Sequence, residues 1–173
     1  MKMSINDALI RYNILASLKY KDGDYSLPRD LKIKLIKCKI SLEKIFNDFN
    51  SYQEKCLSEV KTDEYNDLIA IEEDKRTDEQ KKRLEEVVGV LNQEMNELLF
   101  NKTMEEVDVP EFEYLSSDEF DSVLEVNIEN EVNINGRTID GGGYVDLIHQ
   151  AFTSKEEKTE ETPDPSSEEE VKE

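Results

Sequence analysis

The chain is 173 residues long with a formal charge of −20; 37% of its residues are charged and 36% hydrophobic, enough for one core with little to spare. At a mean hydropathy of −0.72 it holds no run approaching the ~18–20 apolar residues of a membrane-spanning helix. The stretch Met1–Asp7 has neither the apolar centre nor the small-residue cleavage site of a secretory leader, so a cytosolic protein is expected.

The charge is unevenly placed. Residues 1–60 carry eleven Lys/Arg against eight Asp/Glu, for +3, and residues 61–173 carry eleven against thirty-four, for −23. This balance argues against binding a phosphate backbone or an anionic membrane. It is compatible with docking onto a basic partner, with mimicry of nucleic acid, or with solubility alone.

In chain order, Ser4 followed by Asp7 marks a helix start. Ile5, Ala8, Leu9, Tyr12, Leu15 and Leu18 then predict a short helix over 5–18. Lys21-Asp22-Gly23-Asp24 reads as a polar turn, since the remaining ligands of a calcium loop are missing. Pro28, placed where its missing N–H costs nothing, opens a long helix over 28–60. Leu31, Leu35, Cys38, Leu42, Ile45, Phe49, Tyr52 and Cys56 recur at alternating gaps of four and three, the seam spacing of helices packed side by side. Cys38 and Cys56 would lie ~27 Å apart on that helix, too far for a disulfide, and both read as small core residues. Lys32, Lys34, Lys37, Lys39 and Lys44 flank the seam. Two readings stand: they neutralise an acidic neighbouring helix, the favoured one, or they form a partner-binding face.

Residues 61–76 have no clear period and are either a continuation of the helix or a connector with one short helix. Thr77 and Gln80 form a capping box, and Leu84, Val87, Val88, Leu91, Met95, Leu98 and Leu99 predict a helix over 78–100. Folding it back on the 28–60 helix would bury both stripes in an elongated antiparallel hairpin, with the first helix as third member of a bundle. Beyond Asn101 the period becomes that of strands. Val107-Asp108-Val109 and Phe112-Glu113-Tyr114 predict an edge strand broken at Pro110. Ser117 caps a short acidic helix, and Val126-Asn127-Ile128 and Val132-Asn133-Ile134 alternate before Asn135-Gly136, a strong hairpin signal. Asp140-Gly141-Gly142-Gly143 reads as a joint before a last amphipathic helix. The tail, 154–173, carries nine acids and three lysines and reads as disordered. The expected organisation is therefore mainly α: a helical bundle over 1–102, a small α+β appendage over 103–153, and an acidic tail.

Residues for catalysis are sparse. The one histidine, His149, lies on an amphipathic helix and reads as a packing residue. No nucleophile elbow, Cys-X-X-Cys pair, phosphate loop or dinucleotide fingerprint is present. Neither a cofactor nor a metal is expected, and no enzymatic activity.

The short first helix, the Ser26-Leu27-Pro28 turn before a Lys-rich helix with Lys37-Cys38-Lys39-Ile40-Ser41-Leu42-Glu43-Lys44, the later Asn96-Glu97-Leu98-Leu99 and the acidic Glu105-Glu106-Val107-Asp108-Val109 occur in an order that resembles a family of small uncharacterised proteins of tailed bacteriophages. The resemblance covers about residues 1–125. It implies a phage origin and a small interaction protein. The leading functional expectation is a non-enzymatic protein that acts by protein–protein contact in virion assembly or as a virion component, in the bacterial host cytoplasm or the virion, on a larger phage or host protein; the charge balance argues against direct nucleic-acid or membrane binding. The alternative is an acidic, DNA-mimic-like inhibitor of a host defence protein. The residues proposed for partner contact are Lys32, Lys34, Lys37, Lys39 and Lys44.

Overall fold

The computed structural model describes residues 1–134 and 136–153, so the expectation for the tail at 154–173 lies outside the described residues. Among these residues the chain is mainly helical, with six α-helices and three antiparallel strand pairs. No helix is long and apolar enough to cross a membrane. The chain divides into two units, and each is assembled from two separate stretches: residues 1–12 with 40–110, and residues 13–39 with 111–153. This division differs from the consecutive one into 1–102 and 103–153 expected above. Its physical basis is that long-range partners close each unit, and periodicity within one helix carries no information about them.

In the first unit, β1 (Lys2–Ser4) pairs antiparallel with β4 (Glu106–Asp108), in the register Met3 opposite Val107. Ile5 N–H extends the pairing to Glu105 O at 2.9 Å. Ser4 Oγ then caps α1 (Ile5–Ser17) by accepting from Asp7 N–H at 3.1 Å. The part of α2 (Arg29–Val60) in this unit stacks Phe46 on Tyr12, ring centroids 4.4 Å apart. Residues 61–76 form a connector with one short helix, α3 (Asp63–Ala70), capped by Thr62. Arg76 donates to Leu68 O and Ile69 O, which occupies carbonyls left open at the end of α3. The capping box of Thr77 and Gln80 opens α4 (Asp78–Thr103), with both reciprocal bonds made, at 3.2 and 2.9 Å. Of the α4 stripe only Val87 and Leu91 are buried. Leu57, Val60, Tyr65, Val88, Leu91 and Met95 leave a small cavity of about 90 Å³.

The second unit begins with the end of α1 and a tight hairpin, β2 (Lys21–Asp22) with β3 (Tyr25–Ser26), at the stretch expected to be a polar turn. Gly23 turns the chain with a φ of +54°, the left-handed region that glycine enters without strain. Leu27, Leu31, Leu35 and Cys38 of the following stretch are buried, together with Leu115, Val123, Tyr144, Ile148 and Phe152 from the far end of the chain. The Tyr144 hydroxyl donates to Ile14 O at 2.7 Å. Asn127, at 0% exposure, has every polar position in use. Its Nδ2 donates to Lys19 O and Val123 O, and its Oδ1 accepts from Lys19 N–H and Asn130 Nδ2.

Several local expectations are corrected here. Phe112-Glu113-Tyr114 is not a strand; Glu111 O accepts from the Cys38 thiol at 3.4 Å and Tyr114 O from the Lys34 ammonium at 2.7 Å, so no ladder satisfies this backbone. Val126 and Asn127 belong to α5 (Ser117–Asn127), because Val123, Val126 and Asn127 also lie one helical turn apart. The cap of α5 is Ser116 rather than Ser117, in a capping box with Glu119. The hairpin of β5 (Val132–Ile134) and β6 (Arg137–Ile139) stands as expected, with Gly136 at a φ of +78°. The joint at 140–143 is instead the start of α6 (Gly141–Phe152), with Asp140 Oδ1 capping Gly143 N–H at 2.8 Å.

Gly141 packs where no side chain fits, since a Cβ there would stand 1.8 Å from Ile128 O. At Gly142 the nearest atom would be Asp140 Oδ1, at 3.7 Å. Gly141→Ala is therefore expected to destabilise the protein by about 2–3 kcal/mol in urea unfolding. Gly142→Ala should be neutral or stabilising by up to about 1 kcal/mol, since alanine is the better helix former.

Candidate interaction surface on helix α2

The long helix has two apolar rows. One is the predicted stripe, of which Leu31, Leu35, Cys38 and Leu42 are buried and Ile45, Phe49 and Tyr52 half-buried. The other is Ile33, Ile36 and Ile40, which stand 42%, 46% and 60% exposed. At 100° per residue the isoleucines lie on the side of the helix away from the leucines. Sequence reading missed this second row, although the signal was present: gaps of three and four recur at 33, 36 and 40, one face over from the seam.

The five lysines separate into different roles. Lys34 is turned inward, its side chain only 19% exposed. Its ammonium donates to Tyr114 O and to Glu119 Oε2, both at 2.7 Å, and Glu113 stands at 4.0 Å. Glu119 Oε2 also accepts from Ser116 N–H at 2.9 Å, so one oxygen closes both the ion pair and the capping box. Burial pushes the Glu119 carboxyl up, but the Lys34 ammonium and the Ser116 bonds outweigh it and hold the group below the usual carboxylate range. Lys32 donates to Ser26 Oγ at 2.7 Å. Lys37 is exposed and Lys39 half-buried, and neither makes an ion pair among the described residues. Lys44 is exposed in the part of α2 that belongs to the first unit. The favoured expectation was neutralisation by an acidic helix. Lys34 meets it through α5, whereas among the described residues no α2 lysine pairs with a glutamate of α4.

Within the second unit the exposed face of α2 thus presents Ile33 and Ile36 bordered by Arg29, Lys32, Lys37 and Lys39. Residues 29–39 carry five Lys/Arg against one acid, a local +4 in a chain of −20.

Elsewhere in this unit a cleft of about 330 Å³ lies between α5 and α6. It holds His149, whose ring lies edge-on to Phe120 at 4.9 Å, and two exposed carboxylates, Asp121 and Asp146. The Thr153 hydroxyl nearby donates to the backbone carbonyl of His149 and not to the ring. No nucleophile–base pair is formed in the cleft among the described residues. Nor do three His, Cys, Asp or Glu side chains of the described residues converge as metal ligands would. Cys38 and Cys56 are buried and unbridged, as expected for small core residues, and burial pushes the Cys38 thiol up.

Comparison with protein-family models, with curated proteins and with solved structures finds no match to this chain.

Two outcomes follow from the geometry of Lys34. Lys34→Met keeps the aliphatic stem but strips two oxygens of a charged donor, and should cost about 1.5–3 kcal/mol in urea unfolding. Lys37→Met should stay within about 0.5 kcal/mol of the parent. Because folding lowers the Glu119 pKa, its carboxylate contributes stability above the ordinary carboxylate range, and this is lost as pH falls through the folded value. The difference in urea midpoint between the parent and Glu119→Gln should be largest above the ordinary carboxylate range and should shrink as pH falls below it. A difference independent of pH would mean that the pair contributes nothing.

Proposed function

We propose that this chain is a non-enzymatic interaction protein that docks onto a larger protein through the exposed face of α2. The observation that carries this reading is the pair of exposed isoleucines, Ile33 and Ile36, inside a border of Arg29, Lys32, Lys37 and Lys39. Exposed isoleucine costs hydration and gains nothing in helix propensity, and cations bordering an apolar strip select an acidic partner and steer it on approach. Direct binding to nucleic acid is not part of the proposal, because the net charge of −20 opposes it.

In the first unit we read α2 and α4 as an antiparallel pair. Lys102 lies over the Tyr52 ring at 5.3 Å, and Leu57 and Val60 share a cavity with Val88, Leu91 and Met95, so later residues of α2 meet earlier residues of α4. The phage origin comes from the resemblance over residues 1–125, and we place the protein in virion assembly or in the particle, in the host cytoplasm or the virion, as the setting in which such a docking protein acts. A second reading, an acidic inhibitor that occupies a basic groove, is favoured by the −23 carried by residues 61–173.

The test is co-purification of the full chain with phage capsid, portal and tail proteins, beside the variant Lys32→Glu, Lys37→Glu, Lys39→Glu. The variant should keep its helical signal and melting temperature while losing at least about tenfold in partner affinity. Unchanged capture would remove α2 from the docking surface. Capture of a basic nuclease, at low salt only, would favour the inhibitor reading.

A further inference from the structure

We propose that in the free protein the lysine-bordered face of α2 is occupied by a second copy of this chain, through the exposed acidic face of that copy's α4. The proposal rests on the reading of the α2 face as a docking surface and adds an occupant for it.

The complementary face belongs to the first unit. Val90, Phe100 and Met104, the last as C-cap of α4, stand 57%, 64% and 62% exposed. At 100° per residue they and Glu97 fall within an arc of about 80°, on a different side of the helix from the buried Val87 and Leu91. The surroundings are acidic: residues 90–106 carry four acids against one lysine, for −3. That lysine, Lys102, is turned to the Tyr52 ring and to Glu105. Glu94, Glu97 and Glu106 are exposed and make no ion pair among the described residues.

The two strips share one plan with opposite signs. On α2 the apolar pair Ile33 and Ile36 has Arg29 and Lys32 before it and Lys37 and Lys39 after it. On α4 the pair Phe100 and Met104 has Glu94 and Glu97 before it and Glu106 after it. Three and four residues correspond to about 4.5 and 6 Å along a helix axis, so one pair can cover the other. Cations then meet acids whichever way the helices run. The contact takes both apolar strips out of water and sets ammonium groups beside carboxylates. A symmetric contact of α2 with α2 would instead face +4 with +4 over residues 29–39.

The charge of −20 on each copy is the opposing term. A Debye length of about 8 Å at 0.15 M salt largely screens charges spread over the two copies and leaves those in contact little screened. Because the two faces differ, the contact is head-to-tail: each added copy brings a free face of each kind, so assemblies grow with concentration or close into a ring.

Sedimentation velocity of the full chain, from micromolar to near-millimolar concentration at about 0.15 M salt, tests this contact without any other protein. The parent should shift to larger species as concentration rises. Charge reversal on α2 (Lys32→Glu, Lys37→Glu, Lys39→Glu) or on α4 (Glu94→Lys, Glu97→Lys) should each weaken association at least about tenfold. An equal mixture of the two variants should recover it, because one keeps the acidic α4 face and the other the basic α2 face. Recovery would also show that both variants are folded. A parent that stays monomeric throughout would overturn the proposal. So would association lost in the α2 variant but kept in the α4 variant, or a mixture of variants with parental helical signal that recovers nothing. The α4 variant leaves the α2 face intact, so its capture of phage proteins tests the docking reading separately. If it captures none, and the parent captures none, that reading falls while the self-association stands on the sedimentation result.

Discussion

Taking an ammonium out of water costs several kcal/mol unless oxygens replace its hydration shell. Lys34 is placed in that position by the leucines on either side of it, because a helix that buries Leu31 and Leu35 carries residue 34 to the edge of the same interface. The oxygens come from Tyr114 and Glu119, about eighty residues later in the chain. Meeting them anchors residues 111–119 on α2. That anchoring places Leu115 where its N–H meets the end of α6, and sets the carboxylate that also closes the cap of α5. Much of the second unit follows from satisfying one charge.

The helices were legible in the sequence wherever an apolar row coincided with a cap. Ser4, the capping box at Thr77 and Gln80, and the stripe from Leu31 to Cys56 each mark an element by local chemistry alone, and the structure places helices there. The Asn135-Gly136 signal located the β5–β6 pair, whose partners are neighbours in sequence, whereas Asp22-Gly23-Asp24 carried similar turn chemistry between segments of only two residues and read as a plain polar turn. The failures have a common cause. At 112–114 and 126–128 an alternating pattern was present but no partner strand was, and pairing is decided across the fold. β1 carries no strand signal because its partner, β4, supplies the reason for it to be extended. Asp140 to Gly143 looked like a joint because glycine advertises freedom, whereas here Gly141 serves a close approach to Ile128 O. Of the five lysines, periodicity gave the neighbourhood. It did not separate Lys34, whose partners are far away in sequence, from Lys37, which faces solvent.

A helix with leucine on one side and isoleucine on the other divides its work. The γ-branched row is buried, while the β-branched row, stiff at χ1, stands in solvent with its rotamers already restricted. A partner that packs on Ile33 and Ile36 would therefore order little on this side. The surrounding cations give that face a sign opposite to the rest of the chain. The two properties together distinguish this surface from the cleft between α5 and α6, which presents polar groups without a bordering field of opposite charge.

The division of both units between distant stretches has a consequence for biosynthesis. The Tyr144 hydroxyl that caps Ile14 O belongs to a residue 130 positions further on. At about 5–20 residues per second, a ribosome needs roughly 7–26 s to deliver that partner. For that interval the leucines at the start of α2 have no permanent cover, and loop closure over so long a span makes their eventual burial slow. The nascent chain spends its emergence as a half-assembled helix with its apolar side open, and in the crowded cell that waiting time is a window for chaperone capture.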